Sequence, residues 1–408
     1  MKTPTEAAAA LRRAAFVALC GVLLSSTWSI SLFVISSVAL FVIGGTHLAV
    51  ERRRPYPGES WQWALVAYVL VVGSTLLVSD YPYESFRGLL KVARQALLCV
   101  CAVWVLSHPG RLRRCALLWM GVAALTVADA WVQGLTGREP LLGRAMTPFH
   151  GDTLRWTGPY KHANDFSAFL TLAVFPFLSG ALDRASRKGA RTLCAVGALA
   201  TLICLYQTYS RGAWIAVGVG VVVLAFLRRD RWMGAAIVAA ALWAAFLSPE
   251  LARERIHSLF DPAAGTVRER RLLWAEAAAM IAERPVLGWG VNTYAKNMPL
   301  FKPAGSAAPD YQYAHNGYLQ IASETGLVGL VVFLAAVALC LARGYRALSH
   351  APPSFERTMG QAYLAGACAF LVHSATDTNL QSILLVNSLW LALALLLACS
   401  RSAAAERP

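Results

Sequence analysis

Apolar runs of roughly 17–25 residues, each long enough to cross a bilayer as a helix, follow one another along the chain between short polar segments. Taken in order, they predict spans over 13–27, 30–50, 61–79, 86–107, 112–133, 164–182, 192–209, 212–228, 232–248, 326–343, 358–376 and 381–399. The first two share 14–50, around a bend at "STWS". The short alternating segments of a β-barrel are missing, and in lipid the backbone must satisfy its polar groups inside a helix or a closed barrel. The pattern therefore predicts an all-α polytopic integral membrane protein, a single membrane domain over 1–408 with about twelve transmembrane helices. A second span follows the first at once and no small-residue cleavage site stands between them, so the N-terminal run reads as a membrane helix, not a leader.

One interval breaks the rhythm. Residues 249–325 are too long to be structureless in a compact protein. They are predicted to form a large loop containing amphipathic helices. Within it, "RERRLLWAEAAAMIAERP" (268–285) is rich in helix formers and ends at proline. Val267, Arg270, Trp274, Ala277 and Ile281 share one stripe at helical spacing, so Arg270 heads the apolar face while Arg268 and Arg271 lie off it.

Composition agrees with this picture. Hydrophobic residues make up 57% of the chain and charged ones 14%, with mean hydropathy +0.51, which excludes an ordinary soluble domain. The net charge of +15 raises the question of nucleic acid, but orientation accounts for more of it. The loops "ERRRPYPGES", "HPGRLRR", "DRASRKGAR", "RRDR" and "ARGYRALSHAPPSFER", with both tails, hold 21 of the 37 Lys and Arg residues. By the positive-inside rule these face the cytoplasm, placing both termini inside and 134–163, "TYSRGAW" and 249–325 outside. The nine cysteines fall within or at the ends of apolar spans, without zinc or disulfide spacing, and read as small core residues.

The remaining cations lie outside against the usual bias. They include Arg253, Arg255, Arg268, Arg270, Arg271, Arg284, Lys296 and Lys302. Phosphates attached to a membrane lipid are the natural anion to recruit them. Arg211, in the tight turn "YSRGAW", either snorkels to headgroups or points inward, where its planar fork suits phosphate oxygens. Arg87, Lys91 and Arg94, at i, i+4 and i+7, put three cations on one helix face, as a lipid or phosphate site or as snorkelling side chains. His315 precedes a helix that Asn316 is placed to cap, with Asn316, Gln320 and Glu324 on one polar stripe. The helix dipole and nearby arginines favour a neutral imidazole there, the form a general base needs, although an interfacial histidine also serves structure. His373 and Asp377, at i and i+4, either line the same cavity as His315 or pair with each other, and pairing is the favoured reading. Asp152, Asp165, Asp310 and Glu324 are scattered, and no acidic pair is spaced for a divalent metal.

Four motifs then carry a resemblance: "TGPYKHANDFSAFL" (157–170), "YSRGAW" (209–214), "RRLLWAEAAAMIAERPVLGWGVNTY" (270–294) and "HNGYLQIASETGLVGL" (315–330). Together, in this order and topology, they resemble the O-antigen ligase and polymerase superfamily, most of all its ligase branch. His162 stands where a smaller polar residue is common, and three arginines crowd the site where one is typical. The resemblance implies a C-type, inverting, metal-independent glycosyltransferase of the bacterial inner membrane with its active site facing the periplasm. The donor would be an undecaprenyl-pyrophosphate-linked O-antigen and the acceptor lipid A–core, among membrane lipids, with no cofactor and no nucleic acid. By the same resemblance His315 would deprotonate the acceptor hydroxyl, and Arg211 and Arg270, with Arg268 and Lys161, would hold the pyrophosphate. Asn316, Asn164 and Tyr318 would shape the site. An O-antigen polymerase and a protein O-oligosaccharyltransferase share this donor chemistry. A lipid-linked sugar transporter is the rival from another class, but it predicts polar residues across the midplane, whereas here they crowd one face.

Overall fold

The computed structural model describes residues 4–51, 58–108, 110–150, 153–230, 265–302 and 313–405. The chain is mostly helical. Its long helices are α1 (Pro4–Ser25), α2 (Ile30–Glu51), α3 (Ser60–Ser74), α4 (Pro82–Leu106), α5 (Arg111–Thr136), α6 (Ala163–Ala181), α7 (Lys188–Gln207) and α8 (Arg211–Arg228). After a gap in the described residues come α9 (Gly265–Glu283), the single turn α10 (Tyr294–Asn297), α11 (Gly317–Leu348), α12 (Phe355–Ser374) and α13 (Ile383–Ala405). Eleven of the twelve expected spans coincide with these helices. The twelfth, 232–248, lies outside the described residues, as do Arg253 and Arg255.

Among the described residues nine helices are long and apolar enough to cross a membrane. Helices α6 and α12 are the two expected spans that fall short, and packing explains why. Every residue from Phe166 to Phe177 and from Thr358 to Ala367 is buried, so these helices face protein and can carry polar groups that lipid would reject. Helix α13 is the centre of the bundle: all residues from Leu385 to Ser400 are buried, around Trp390. It packs on α4, α11 and α12, and α12 in turn packs on α6 and α8.

Three features gather at one end of the bundle. The first is a short antiparallel hairpin, β1 (Thr147–His150) with β2 (Thr153–Arg155), which pairs Thr147 with Arg155. Strands of four and three residues leave too little periodicity to be read from sequence. The second is α9, which ends before Pro285. It buries Leu273, Glu276, Ala277 and Met280, the last two in a small separate core with Trp289, Tyr294, Met298 and Ala314.

The third is a break inside α11. Gly326 has φ +69° and ψ 178°, a conformation that a side chain disfavours strongly. A Cβ there would lie 2.0 Å from the carbonyl oxygen of Val286. The break frees carbonyls of the preceding turn, and the segment after α9 uses them: Trp289 N donates to Ser323 O (3.0 Å) and Gly290 N to Glu324 O (2.9 Å). Leu327 N returns a bond to Pro285 O at 2.8 Å. The segment 285–294 is thus zipped onto the first half of α11, the half that begins with the candidate histidine.

Candidate active site

Two helices of this end start with the same device. Tyr209 (φ +49°) precedes Ser210 at the N-cap of α8, and His315 (φ +48°) precedes Asn316 at the N-cap of α11. Left-handed backbone at a bulky residue is uncommon and collects at functional sites. Here it turns the chain sharply before an extended capping residue. Asn316 accepts from Tyr318 N (3.0 Å) and Leu319 N (3.1 Å), and Tyr318 Oη donates to Leu371 O (2.7 Å). Asn316 therefore caps α11 and Tyr318 pins it to α12. The N–H of Gly317 donates to the carbonyl of Asp377 at 3.1 Å, fixing that start beside the segment after α12.

Asp377 is the hub. Its side chain is almost completely buried, and four groups surround it. Oδ1 accepts from Thr378 N (2.8 Å) and lies 3.4 Å from His315 Nδ1. Oδ2 accepts from Asn164 Nδ2 (2.6 Å) and lies 3.7 Å from Arg270 Nη2. Burial alone would raise the Asp377 carboxyl; the hydrogen bond from His315 and the Arg270 guanidinium more than reverse this, holding it well below the usual carboxylate range. A buried carboxylate that stays charged needs such partners.

The expected His373–Asp377 pair does not form. Helix α12 ends at Ser374, so Asp377 is off the helix and the i, i+4 geometry no longer applies. His373 instead meets Asn379 Nδ2 at Nδ1 (2.8 Å) and Ser210 Oγ at Nε2 (3.4 Å), tying the start of α8 to the end of α12. Gly212 makes this approach possible, since a Cβ there would lie 2.2 Å from Thr376 Oγ1.

Arginines converge on the same centre. Arg211 is buried in the first turn of α8, within electrostatic reach of Arg270. Arg270 is half-buried on α9, whereas Arg268 and Arg271 are exposed. A further arginine was not anticipated. Arg155, at the end of β2, donates through Nε to Thr208 O (2.5 Å) and through Nη2 to Asn164 Oδ1 (2.6 Å). Its guanidinium also lies 5.4 Å from the ring of Phe149, which stacks on Tyr209. Burial lowers the Arg155 guanidinium to about 10, with Asp377 opposing and Arg270 adding to the shift, so it remains a cation at neutral pH. Asn164 therefore bridges Arg155 to Asp377. The loop before it is anchored by Gln133 of α5, whose Oε1 accepts from both Thr157 N and Gly158 N at 2.9 Å. Only the hairpin carries Arg155 to this point, which is why span periodicity gave no sign of it.

Other sequence candidates stand apart. Lys161 is exposed. Arg87 is exposed, 3.3 Å from Glu84 and over the ring of Tyr83. Lys91 points into the protein and donates to Asn292 Oδ1 at 2.5 Å, and Arg94 is half-buried with Nε and Nη2 unpartnered. The three share a helix face, with Arg87 at the surface and Lys91 turned toward Asn292. Glu324 is buried and accepts from Asn292 N, Tyr294 N and Gln320 Nε2, so it staples the 285–294 segment to α11. Among the described residues no group of three or more His, Cys, Asp or Glu side chains is placed to hold a metal ion.

This constellation offers a histidine oriented by a carboxylate, beside several convergent guanidinium groups: a base next to a site for oxyanions. No curated protein matches the chain. A chain from the solved structure described as "Structural coordination of polymerization and crosslinking by a peptidoglycan synthase complex" is similar at 20% identity, over 84% of this chain and 98% of that one, with a TM-score of 0.48. The family model described as O-antigen ligase matches residues 196–334, from α7 through Arg211, Arg270 and His315 into α11. That match supports the resemblance to the O-antigen ligase superfamily that the four motifs carry.

Proposed function

We propose that the protein is an inverting O-antigen ligase that moves a glycan from a polyprenyl-pyrophosphate carrier to a sugar of lipid A–core at the outer face of the membrane. The observation that carries the reading is the contact of His315 with Asp377 beside Arg270. With Nδ1–H directed at the carboxylate, Nε2 holds the ring's lone pair. It takes the proton of the acceptor hydroxyl as that oxygen bonds the anomeric carbon. The bond from that carbon to the pyrophosphate breaks in the same step, its electron pair leaving on the phosphate oxygen. Attack from the face opposite the leaving group inverts the centre. Arg211 and Arg270, with Arg155 behind Asn164, stabilise the negative charge that builds on the leaving group. In this reading guanidinium groups do what a divalent cation does elsewhere.

The test is reconstituted transfer with purified protein, polyprenyl-pyrophosphate glycan and either lipid A–core or glycan alone. Lipid A–core should be extended, in excess chelator as well as without it. His315→Ala should lower the rate by about 10²–10⁴ while donor binding persists. Extension of glycan alone would make the protein a polymerase, and a return of chelator-lost activity with magnesium would sink the arginine argument. A His315→Gln enzyme with normal turnover would leave the histidine only a positioning role.

A further inference from the structure

A second polar feature lies beside the Asp377 centre and plays no part in the mechanism above. Between α4, the first half of α11, the 285–294 segment and the start of α13 is a cavity of about 90 Å³. Its polar lining includes Lys91, Gln95, Gln320, Glu324 and Gln381, with Tyr313 also on its wall. It adjoins the histidine on two paths: Tyr313 is two residues before His315, and Gln381 is four after Asp377. Polar groups at this depth of a membrane protein are costly and mark function more often than structure.

Some of the lining is already committed. Gln320 accepts from Ala314 N through Oε1 (3.2 Å) and donates to Glu324 through Nε2 (3.2 Å). Other capacity is not. Gln381 Oε1 is buried and has no hydrogen-bond partner. Gln95 accepts from Trp390 Nε1 through its oxygen (3.3 Å), which leaves its amide nitrogen as the donor side. Lys91 spends one of its three N–H groups on Asn292. A buried acceptor left unmade costs about 1–3 kcal/mol, so a ligand hydroxyl is its natural complement.

Charge and size narrow the ligand. One ammonium and one carboxylate line the cavity, so their charges cancel and a phosphate gains nothing there. So small a volume does not take an oligosaccharide, but it suits one edge of a pyranose, its hydroxymethyl arm and a neighbouring hydroxyl. The half-exposed Tyr313 ring suits the apolar face of such a sugar. We infer that this cavity is a subsite for the edge of a neutral sugar ring, which it holds beside His315. The inference rests on the glycosyl-transfer reading for which sugar enters, and inversion, which needs the acceptor away from the pyrophosphate arginines, favours the acceptor.

Gln381→Leu keeps the volume and removes the amide, and Tyr313→Ala removes an exposed ring; neither residue belongs to the Asp377 cluster. In reconstituted transfer each should raise the acceptor KM about tenfold, the size of one buried hydrogen bond, and leave kcat and the donor KM within about twofold. Saturation-transfer NMR in detergent gives a readout independent of turnover. Core oligosaccharide freed of lipid A should bind the wild type and His315→Ala, and bind Gln381→Leu at least about tenfold more weakly. If the repeat-unit oligosaccharide of the donor loses binding in Gln381→Leu instead, the subsite stands and the donor glycan fills it. Equal binding of both sugars by wild type and Gln381→Leu, or no binding by the wild type, overturns the subsite. Absence of transfer with Gln381-dependent binding intact would bring down the ligase reading and leave the subsite standing.

Discussion

At the scale of single residues the site depends on one buried carboxylate. Asp377 contacts His315 through Oδ1 and meets Arg270 and Asn164 at Oδ2, so one side chain holds both the proposed base and part of the proposed oxyanion clamp. Asp377→Asn keeps the shape but loses the charge, and its amide can present an N–H to Nδ1, favouring the wrong tautomer of His315. The expected result is a fall in kcat on the order of 10² or more together with a lower thermal midpoint, because Arg270 and Arg155 are left without their counter-charge. An Asp377→Asn enzyme with full turnover would show that Asp377 only packs. His315, Arg211 and Arg270 stand out in the sequence by their local chemistry and Asn164 only by its motif, and the structure brings the four together around Asp377. Asp377 was visible too, but assigned to His373 by spacing. Its actual partner lies 62 residues earlier in the chain, and no local pattern reports such a contact. Arg155 was missed for a related reason: its role exists only once the hairpin folds back onto Thr208 and Asn164.

At the scale of elements, α9 and the break in α11 decide which side chains reach that centre. The sequence stripe through Arg270, Trp274, Ala277 and Ile281 lies beside the buried arc of Leu273, Glu276, Ala277 and Met280. The helix was therefore legible, while its rotation is set by the Trp289–Met298 core that only the fold assembles. Arg270→Ala should cost more than about tenfold in donor use, whereas Arg268→Ala and Arg271→Ala, both exposed, should stay within about threefold. Equal losses at 268 and 270 would mean that headgroup attraction, not the Asp377 geometry, sets the effect. Gly326 is the second lever. Gly326→Ala combines a backbone conformation reserved for glycine with a methyl group driven into the Val286 carbonyl. It should destabilise the protein by about 3 kcal/mol or more and unseat the 285–294 segment, seen as a lower unfolding midpoint together with lost transfer. A Gly326→Ala protein with wild-type midpoint and activity would disprove the zipped arrangement. The helix that Asn316 caps and the predicted span 326–343 meet at this glycine as one broken helix, whose freed carbonyls find partners on another segment.

At the scale of the whole molecule the question is which face of the membrane the centre meets. Hydropathy located the helices well because lipid imposes one requirement on every exposed span, and it said less about α6 and α12, where protein replaces lipid as the neighbour. Orientation rests on a different signal. The loop before α7 and that helix's first turn carry Arg184, Arg187, Lys188 and Arg191, at the end of α6 and start of α7 away from Asn164, Ser210 and Arg211. By the positive-inside rule that loop is expected in the cytoplasm, which would place the His315 end outside, where the proposed extension of lipid A–core would take place. Two exposed positions test it directly: Ala185 in the basic loop and Leu300 after α10. The nine native cysteines are buried or half-buried within helices, so a polar, membrane-impermeant maleimide should react with the introduced thiol in preference to them. Added to spheroplasts, it should label Leu300→Cys and spare Ala185→Cys until the membrane is broken. The opposite labelling would turn the arginines and His315 toward the cytoplasm. A sugar acceptor displayed on the outer leaflet would then be out of reach, and the ligase reading would fall with the orientation.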